Sequence, residues 1–227
     1  DEAQEAKLEL VCKKLGLKPG MTVLDIGCGV GSFVKYAAEK YKVKCTGITI
    51  SNEQIRTARE LCAGLPVEII FSDYRDVHGK FDRIVSLEMF EHVGHKNNRT
   101  FMEVANRCLK DDGLFLLQIV GRDRTSTLTD PWVDKYIFPG LILSSPRQIA
   151  EAVEGIFVIE DWHSFGAHYA PTLYNWWVNF DKNWKEIKIK HHQNFVQYLN
   201  KVDRKWAGKQ RSPEEYDERF YRMWRYY

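Results

Sequence analysis

The feature that most constrains this chain is a repeated alternation. Short apolar runs are each followed, within a few residues, by a stretch with helical spacing. "MTVLDIG", "VKCTGITI", "VEIIFSD", "FDRIVSLE" and "DGLFLLQIV" read as strands. "GVGSFVKYAAEKYK", "NEQIRTARELC", "HKNNRTFMEVANRCLKD" and "SPRQIAEAVE" read as helices, and residues 2–15 form a first helix carrying Ala6, Leu8, Leu10, Val11 and Leu15 at helical spacing. Ser51 is a good N-cap, with Gln54 at the third helical position as in a capping box. Strands joined in this way form βαβ units with right-handed crossovers. Near-continuous apolar strands are those covered on both faces. The expected fold class is α/β: a doubly wound, mostly parallel, Rossmann-like sheet.

A chain of 227 residues can bury a full core. A net charge of +2 gives no footing for nucleic acid. No apolar run approaches the roughly 18 residues of a membrane span, and no signal peptide is visible. The five cysteines (Cys12, Cys28, Cys45, Cys62, Cys108) form neither a CxxC pair nor a disulfide framework. They read as reduced, buried thiols of a cytoplasmic protein, with no metal site. After "GIFVIEDW" the pattern changes. Six of the seven tryptophans lie beyond residue 160, in helical text rich in Lys and Arg. The expected division is a core over 1–165 and an aromatic, basic helical lid over 166–227. The start at Asp1 reads as that of a fragment lacking N- and C-terminal parts.

Two stretches carry chemistry. "LDIGCGVGSF" places Gly27, Gly29 and Gly31 between the first strand and its helix, where a ligand can approach the backbone beside a positive helix end. The spacing is GxGxG, and the second strand ends without an acid, which argues against a nicotinamide dinucleotide. Asp25, two residues before the first glycine, suits a cationic ligand. "FEHVG" brings Glu91 and His92 to the end of the fourth strand, on the side where open parallel sheets bind ligands. Glu91 is expected in a pocket and His92 in a structural role.

The glycine loop resembles that of S-adenosylmethionine-dependent methyltransferases. With "GITIS", "DYRD", "FDRIVS", "MFEHVG", "DPW", "KYIFPG" and "EDWHSFGAHY", the chain from about Ala3 to Trp177 resembles the cyclopropane fatty acid synthases and mycolic acid cyclopropane synthases. Coclaurine-type N-methyltransferases share the "YIFP" stretch. The resemblance implies that Gly27, Gly29 and Gly31 hold the methionine part of S-adenosylmethionine, Thr49 and Gln54 lie near the ribose, and Asp73 and Tyr74 lie near the adenine. Leu87 would line the pocket. It implies transfer of a methylene group to cis-unsaturated acyl chains of phospholipids, peripherally at the inner membrane surface. Glu91 and Tyr169 would help hold a bicarbonate ion that takes up the proton. Gln118 stands where the family has a histidine for that ion, and the family's cysteine ligand would precede Asp1. An amide donates a hydrogen bond but carries no charge, so bicarbonate and ring closure are both in question. A methyl-branched product, a small-amine N-methyltransferase and an inactive cofactor-binding domain stay open, as does a homodimer. Aromatic rings such as Tyr169 and Trp177 are candidates to steady a cation, and lysines and arginines of the lid would face anionic headgroups.

Overall fold

The computed structural model describes residues 2–202 and 213–226. The chain divides into two units, meeting at Ile159 and Glu160. In the first, five parallel strands stand in the order β3-β2-β1-β4-β5. They are β1 (Thr22–Ile26), β2 (Lys44–Thr49), β3 (Val67–Phe71), β4 (Phe81–Leu87) and β5 (Leu109–Gln118). The chain winds outward from the central β1 to β3, then returns to lay β4 on the other side of β1. The reversal falls between β1 and β4, the switch point at which open parallel sheets form their ligand crevice, outside the carboxyl ends of the strands.

The strands alternate their side chains between two apolar layers. Val23 of β1 and Val85 of β4 point into a core with Val11, Phe33, Val34 and Ala58, from helices α1 (Glu2–Lys14), α2 (Ser32–Tyr41) and α3 (Asn52–Leu61). Leu24, Ile26 and Ile84 point the other way, toward Phe101, Met102 and Ala152, from α4 (Asn98–Cys108) and α6 (Pro146–Val153). In that layer Phe101 meets Tyr74 and Phe90 with ring centroids 5.2 Å apart in each case. All five cysteines are buried, Cys108 in this second layer and the other four in the first. The thiols of Cys12, Cys28 and Cys45 are each pushed up to about 12, chiefly by burial.

Two boundaries differ from the sequence reading. The fourth helix was expected to run to Asp111, but α4 ends at Cys108 and β5 begins at Leu109. Lys110 is drawn into the strand because its ammonium reaches Asp82 on β4 at 2.7 Å. A short helix α5 (Pro131–Tyr136) is also present, capped by Asp130, whose side chain accepts from the amides of Trp132 and Val133.

The second unit contains the long helix α7 (Tyr169–Val202) and α8 (Pro213–Tyr226). Trp177, Phe180 and Trp184 follow one another at helical spacing and interlock with Phe220, Tyr221 and Trp224 of α8. The tightest pair is Phe180 with Trp224, stacked at 4.9 Å. Trp177 lies 5.4 Å from Tyr221, so its ring belongs to the contact between these helices. The part of the basic, aromatic stretch from 203 to 212 lies outside the described residues. No helix among the described residues is long and apolar enough to cross a membrane.

At the end of the sheet away from the crevice, Asp82 ties three strands. Its Oδ2 accepts from the Thr22 amide at 2.8 Å and from the Thr22 hydroxyl at 2.7 Å, while Oδ1 accepts from Lys110. Lys110 and Thr22 hold this carboxyl well below its ordinary value of 3.8. A lowered folded-state value gives stability that is present above the unfolded value and lost as pH falls. Asp82→Ala is expected to cost about 2 kcal/mol at neutral pH. Urea melts should show that cost shrinking below about pH 4.

Candidate active site

The glycine loop is shaped by backbone geometry. Gly27, Gly29 and Gly31 have φ of 89°, 54° and 88°, a region that side chains strain. Their surroundings differ. A Cβ on Gly27 would lie 2.4 Å from Cγ of Met89, and one on Gly31 would lie 3.1 Å from Cβ of Ala58. A Cβ on Gly29 would meet nothing within 4 Å. Gly27 and Gly31 thus allow close packing, while Gly29 borders open space. The amides of Gly27 and Cys28 donate to the Ile48 carbonyl, at 3.1 and 2.9 Å, which fixes the loop to β2. Helix α2 begins at Gly31 with no side-chain cap, leaving its first amides for a ligand.

Asp25 stands on β1 just below this loop. It is 2% exposed, and its Oδ1 has no hydrogen-bond partner. Burial alone pushes its carboxyl up to about 7. A buried, unsatisfied carboxyl is costly unless neutral or met by a positive group. The donor set therefore fits a ligand that brings a cationic group to Asp25.

Beside β1, the end of β4 turns into a short 3-10 segment, Phe90–His92. The contact of Met89 with Gly27 seats this segment on the glycine loop. The Ser86 hydroxyl reinforces the seat by donating to the Ile26 carbonyl at 2.9 Å. Glu91 is 2% exposed; its Oε1 accepts from the Val120 amide at 2.6 Å, while Oε2 has no partner. Burial raises the affinity of this carboxyl for a proton, opposed by the Val120 amide and assisted by the charge of Glu88. His92, one residue on, is exposed and meets the edge of Phe138 with ring centroids 6.4 Å apart. The acid and the base of "FEHVG" are thus separated by burial, and the acid alone turns inward.

The remaining expected residues fall into three groups. Thr49 and Gln54 are brought together, the Thr49 hydroxyl donating to the Gln54 side-chain carbonyl at 2.7 Å. Leu87 and Gln118 pair across the ends of β4 and β5. Asp73 and Tyr74 have other engagements. Asp73 accepts from Arg75 through both carboxylate oxygens, at 2.8 and 2.7 Å. The Tyr74 ring is buried against Phe101, with the Arg75 guanidinium 5.8 Å from its centroid. Tyr169 opens α7 in the second unit, its ring 6.1 Å from that of Trp176. Among the described residues no three His, Cys, Asp or Glu side chains gather as a metal-ligand set.

Residues 1–211 match the family of mycolic acid cyclopropane synthetases. The chain belongs to this family. It is 50% identical over 204 residues to the cyclopropane-fatty-acyl-phospholipid synthase of Escherichia coli strain K12, covering 88% of this chain and 53% of that protein. It is 35% identical over 241 residues to sphingolipid C9-methyltransferase A of Emericella nidulans, covering all of this chain and 42% of that one. The chain spans about half the length of these relatives. Among solved structures, mycolic acid cyclopropane synthase CmaA1 complexed with SAH and CTAB superposes with a TM-score of 0.74 at 30% identity, over 98% of this chain and 77% of that one. The doubly wound parallel sheet read from the sequence is the sheet observed, and it is the class I methyltransferase fold.

Sequence reasoning passed over an apolar rim on the family's crevice. Val30, Ile50 and Phe71 sit on the glycine loop and at the ends of β2 and β3, and are 43%, 69% and 55% exposed. Three exposed apolar side chains on adjacent strand ends mark a surface for an apolar ligand face. Their signal was present: Ile50 and Phe71 are the last apolar residues of their strand texts, and Val30 is the apolar residue between two glycines of the loop.

Two outcomes test this site. Gly27→Ala is expected to cost about 2 kcal/mol or more through its positive φ and the Met89 clash. Adding Met89→Ala should recover part of that in denaturant melts. A raised folded-state value for Asp25 means that its stabilising share is full below the unfolded value of 3.8 and lost as pH rises to about 7. Asp25→Asn should therefore flatten the decline in stability between pH 4 and 7, measured by melts without ligand.

Proposed function

We propose that this chain is the S-adenosylmethionine-binding catalytic part of a transferase that adds a one-carbon unit to cis-unsaturated acyl chains of membrane phospholipids. The observation that carries the reading is the seating of Met89 on Gly27. It brings a carboxyl enclosed on the β4 side next to a glycine loop with a second enclosed carboxyl, in one crevice.

When bound, S-adenosylmethionine supplies a methyl group made electrophilic by its sulfonium. Asp25 would take the amino group of its methionine part, and the uncapped start of α2 with the glycine amides would take the carboxylate. Thr49 and Gln54, locked together at the end of β2, would meet the ribose. The apolar rim of Val30, Ile50 and Phe71 would lie against the base, with Asp73 and Tyr74 shaping the floor from their 3-10 turn. Leu87 would close the side toward β4. The relatives support this reading in their own names: one is a cyclopropane-fatty-acyl-phospholipid synthase, and the CmaA1 structure holds SAH together with CTAB, an amphiphile with a long alkyl chain.

An alkene that accepts a methyl group becomes a cation, and that cation must then lose one proton to reach a neutral product. Glu91, whose burial strengthens its hold on a proton, suits a site where cation and proton pass close by. Gln118 completes the proposed set on this unit, as a hydrogen-bond donor at the end of β5. Whether the product is a ring or a methyl branch is set by which carbon loses the proton. The sphingolipid C9-methyltransferases among the relatives favour keeping the methyl-branched outcome as a second reading. In both readings the working protein would act at the cytoplasmic surface of a membrane.

The test is mass spectrometry of phospholipid fatty acids from a host without its own synthase, expressing this chain. The expected result is a gain of 14 mass units, the CH2 of one transfer, on monounsaturated chains, falling by about 100-fold in Glu91→Gln. Unchanged lipids, with methyl transfer detected on amines instead, would remove the lipid reading.

A further inference from the structure

Glu88 has the wrong backbone for its residue type. Its φ is 55°, and the only other non-glycine residue in that region among those described is Lys42. Lys42 is the C-cap of α2, a place where left-handed backbone is usual. Glu88 caps no helix. It stands between the last residue of β4 and the Met89–Glu91 turn, where glycine would sit without strain. Strain of this kind persists where the surroundings impose it, and it concentrates at functional sites.

The surroundings do impose it. The Glu88 amide donates to the Gln118 carbonyl at 2.9 Å, which bends the chain across the end of β5. Its Oε1 then accepts from Gln118 Nε2 at 3.3 Å and lies 3.4 Å from Nζ of Lys7 on α1. Among the described residues Oε2 takes no hydrogen bond, and the side chain is half-exposed. Two buried acceptors neighbour this arrangement in the chain without partners: Oε2 of Glu91, whose side chain is 98% enclosed, and Oε1 of Gln118. One amide and two carboxyls thus leave three oxygens to receive a donor where β4 and β5 end.

We propose that Glu88 is the proton acceptor of this site, a catalytic base fixed in place by Gln118 and Lys7 beside the enclosed Glu91. The inference rests on the function proposed above and adds the group that finishes the reaction. Once a double-bond carbon has gained a methyl group, its neighbour is electron-deficient. One C–H bond must break, its proton passing to the open Glu88 oxygen. If the proton leaves the new methyl, the electron pair closes a three-membered ring; if it leaves the methylated carbon, the pair restores a double bond beside a methyl branch. Either way the carboxylate gains one proton and later gives it to water, so no further reactant is needed. Burial and the nearby Glu88 charge both favour the protonated form of Glu91, and carboxyls in unlike surroundings can take separate acid and base roles.

The test uses this chain, as wild type, Glu88→Gly and Glu88→Gln, with vesicles of monounsaturated phospholipid. Glu88→Gly should melt at the same temperature as wild type or higher, since glycine accepts the backbone, and should bind S-adenosylhomocysteine as wild type does. Turnover should fall at least 100-fold in both variants. Added formate should restore part of it in Glu88→Gly, where a small carboxylate can enter, and none in Glu88→Gln. A readout independent of turnover is the Glu91 carboxyl followed by carbon NMR, which should titrate at lower pH in Glu88→Gln than in wild type. Variants that keep turnover within about threefold of wild type would overturn the proposal while leaving the lipid function standing. A loss that formate does not touch, with the Glu91 titration unmoved, would overturn it as well. A wild type silent toward the vesicles would bring down the lipid function, and this proposal with it.

Discussion

The site depends on the junction between β1 and β4. These strands are far apart in the chain and adjacent in the sheet only because the winding reverses between them. Ser86 bonds to the Ile26 carbonyl, and Met89 lies where a side chain on Gly27 would have to be. That contact makes the glycine loop and the Glu91 turn one surface. Without it, Asp25 and Glu91 would belong to two strand ends with no common environment. The glycine therefore has two tasks: it turns the chain toward α2, and it leaves room for the neighbouring turn to approach.

Burial then sets the electrostatics. Both carboxyls of the crevice gain proton affinity chiefly through loss of water, and neither figures among the causes acting on the other. Each can change state separately. The opposite end of the sheet follows the reverse rule, since Asp82 is met by Lys110 and two Thr22 donors and stays ionised. One end is fastened by satisfied charge, and the other is left with unsatisfied acceptors. A fold maintained for stability alone would have little reason to place its unpaired oxygens together at the ligand-binding ends of its strands.

Much of this was legible in the sequence. Apolar runs alternating with helical spacing specified the layers, and the glycines beside Asp25 specified the loop, because both signals are local. Glu91 could be placed for the same reason, at the end of a clear strand. What was not legible arises from contacts distant in sequence or from backbone alone. Nothing in "LKDDG" announces that Lys110 continues a strand to reach Asp82. The engagement of Asp73 by Arg75 needs the geometry of a 3-10 turn, and the packing of Trp177 against Tyr221 needs α8. The left-handed backbone of Glu88 has no mark in the text, since glutamate is ordinary in turns and only its dihedral angle is unusual.

The buried cysteines give the fold a means of observation. A thiol reacts as its thiolate, and burial suppresses that form in Cys12, Cys28 and Cys45. In the closed protein they are silent to alkylating reagents, so labelling would measure how often the structure opens rather than how reactive each sulfur is. Cys28 lies within the glycine loop and Cys108 beneath the opposite face of the sheet. The pair would report separately on loosening around the crevice and on loosening of the layer behind it, without any foreign probe being introduced.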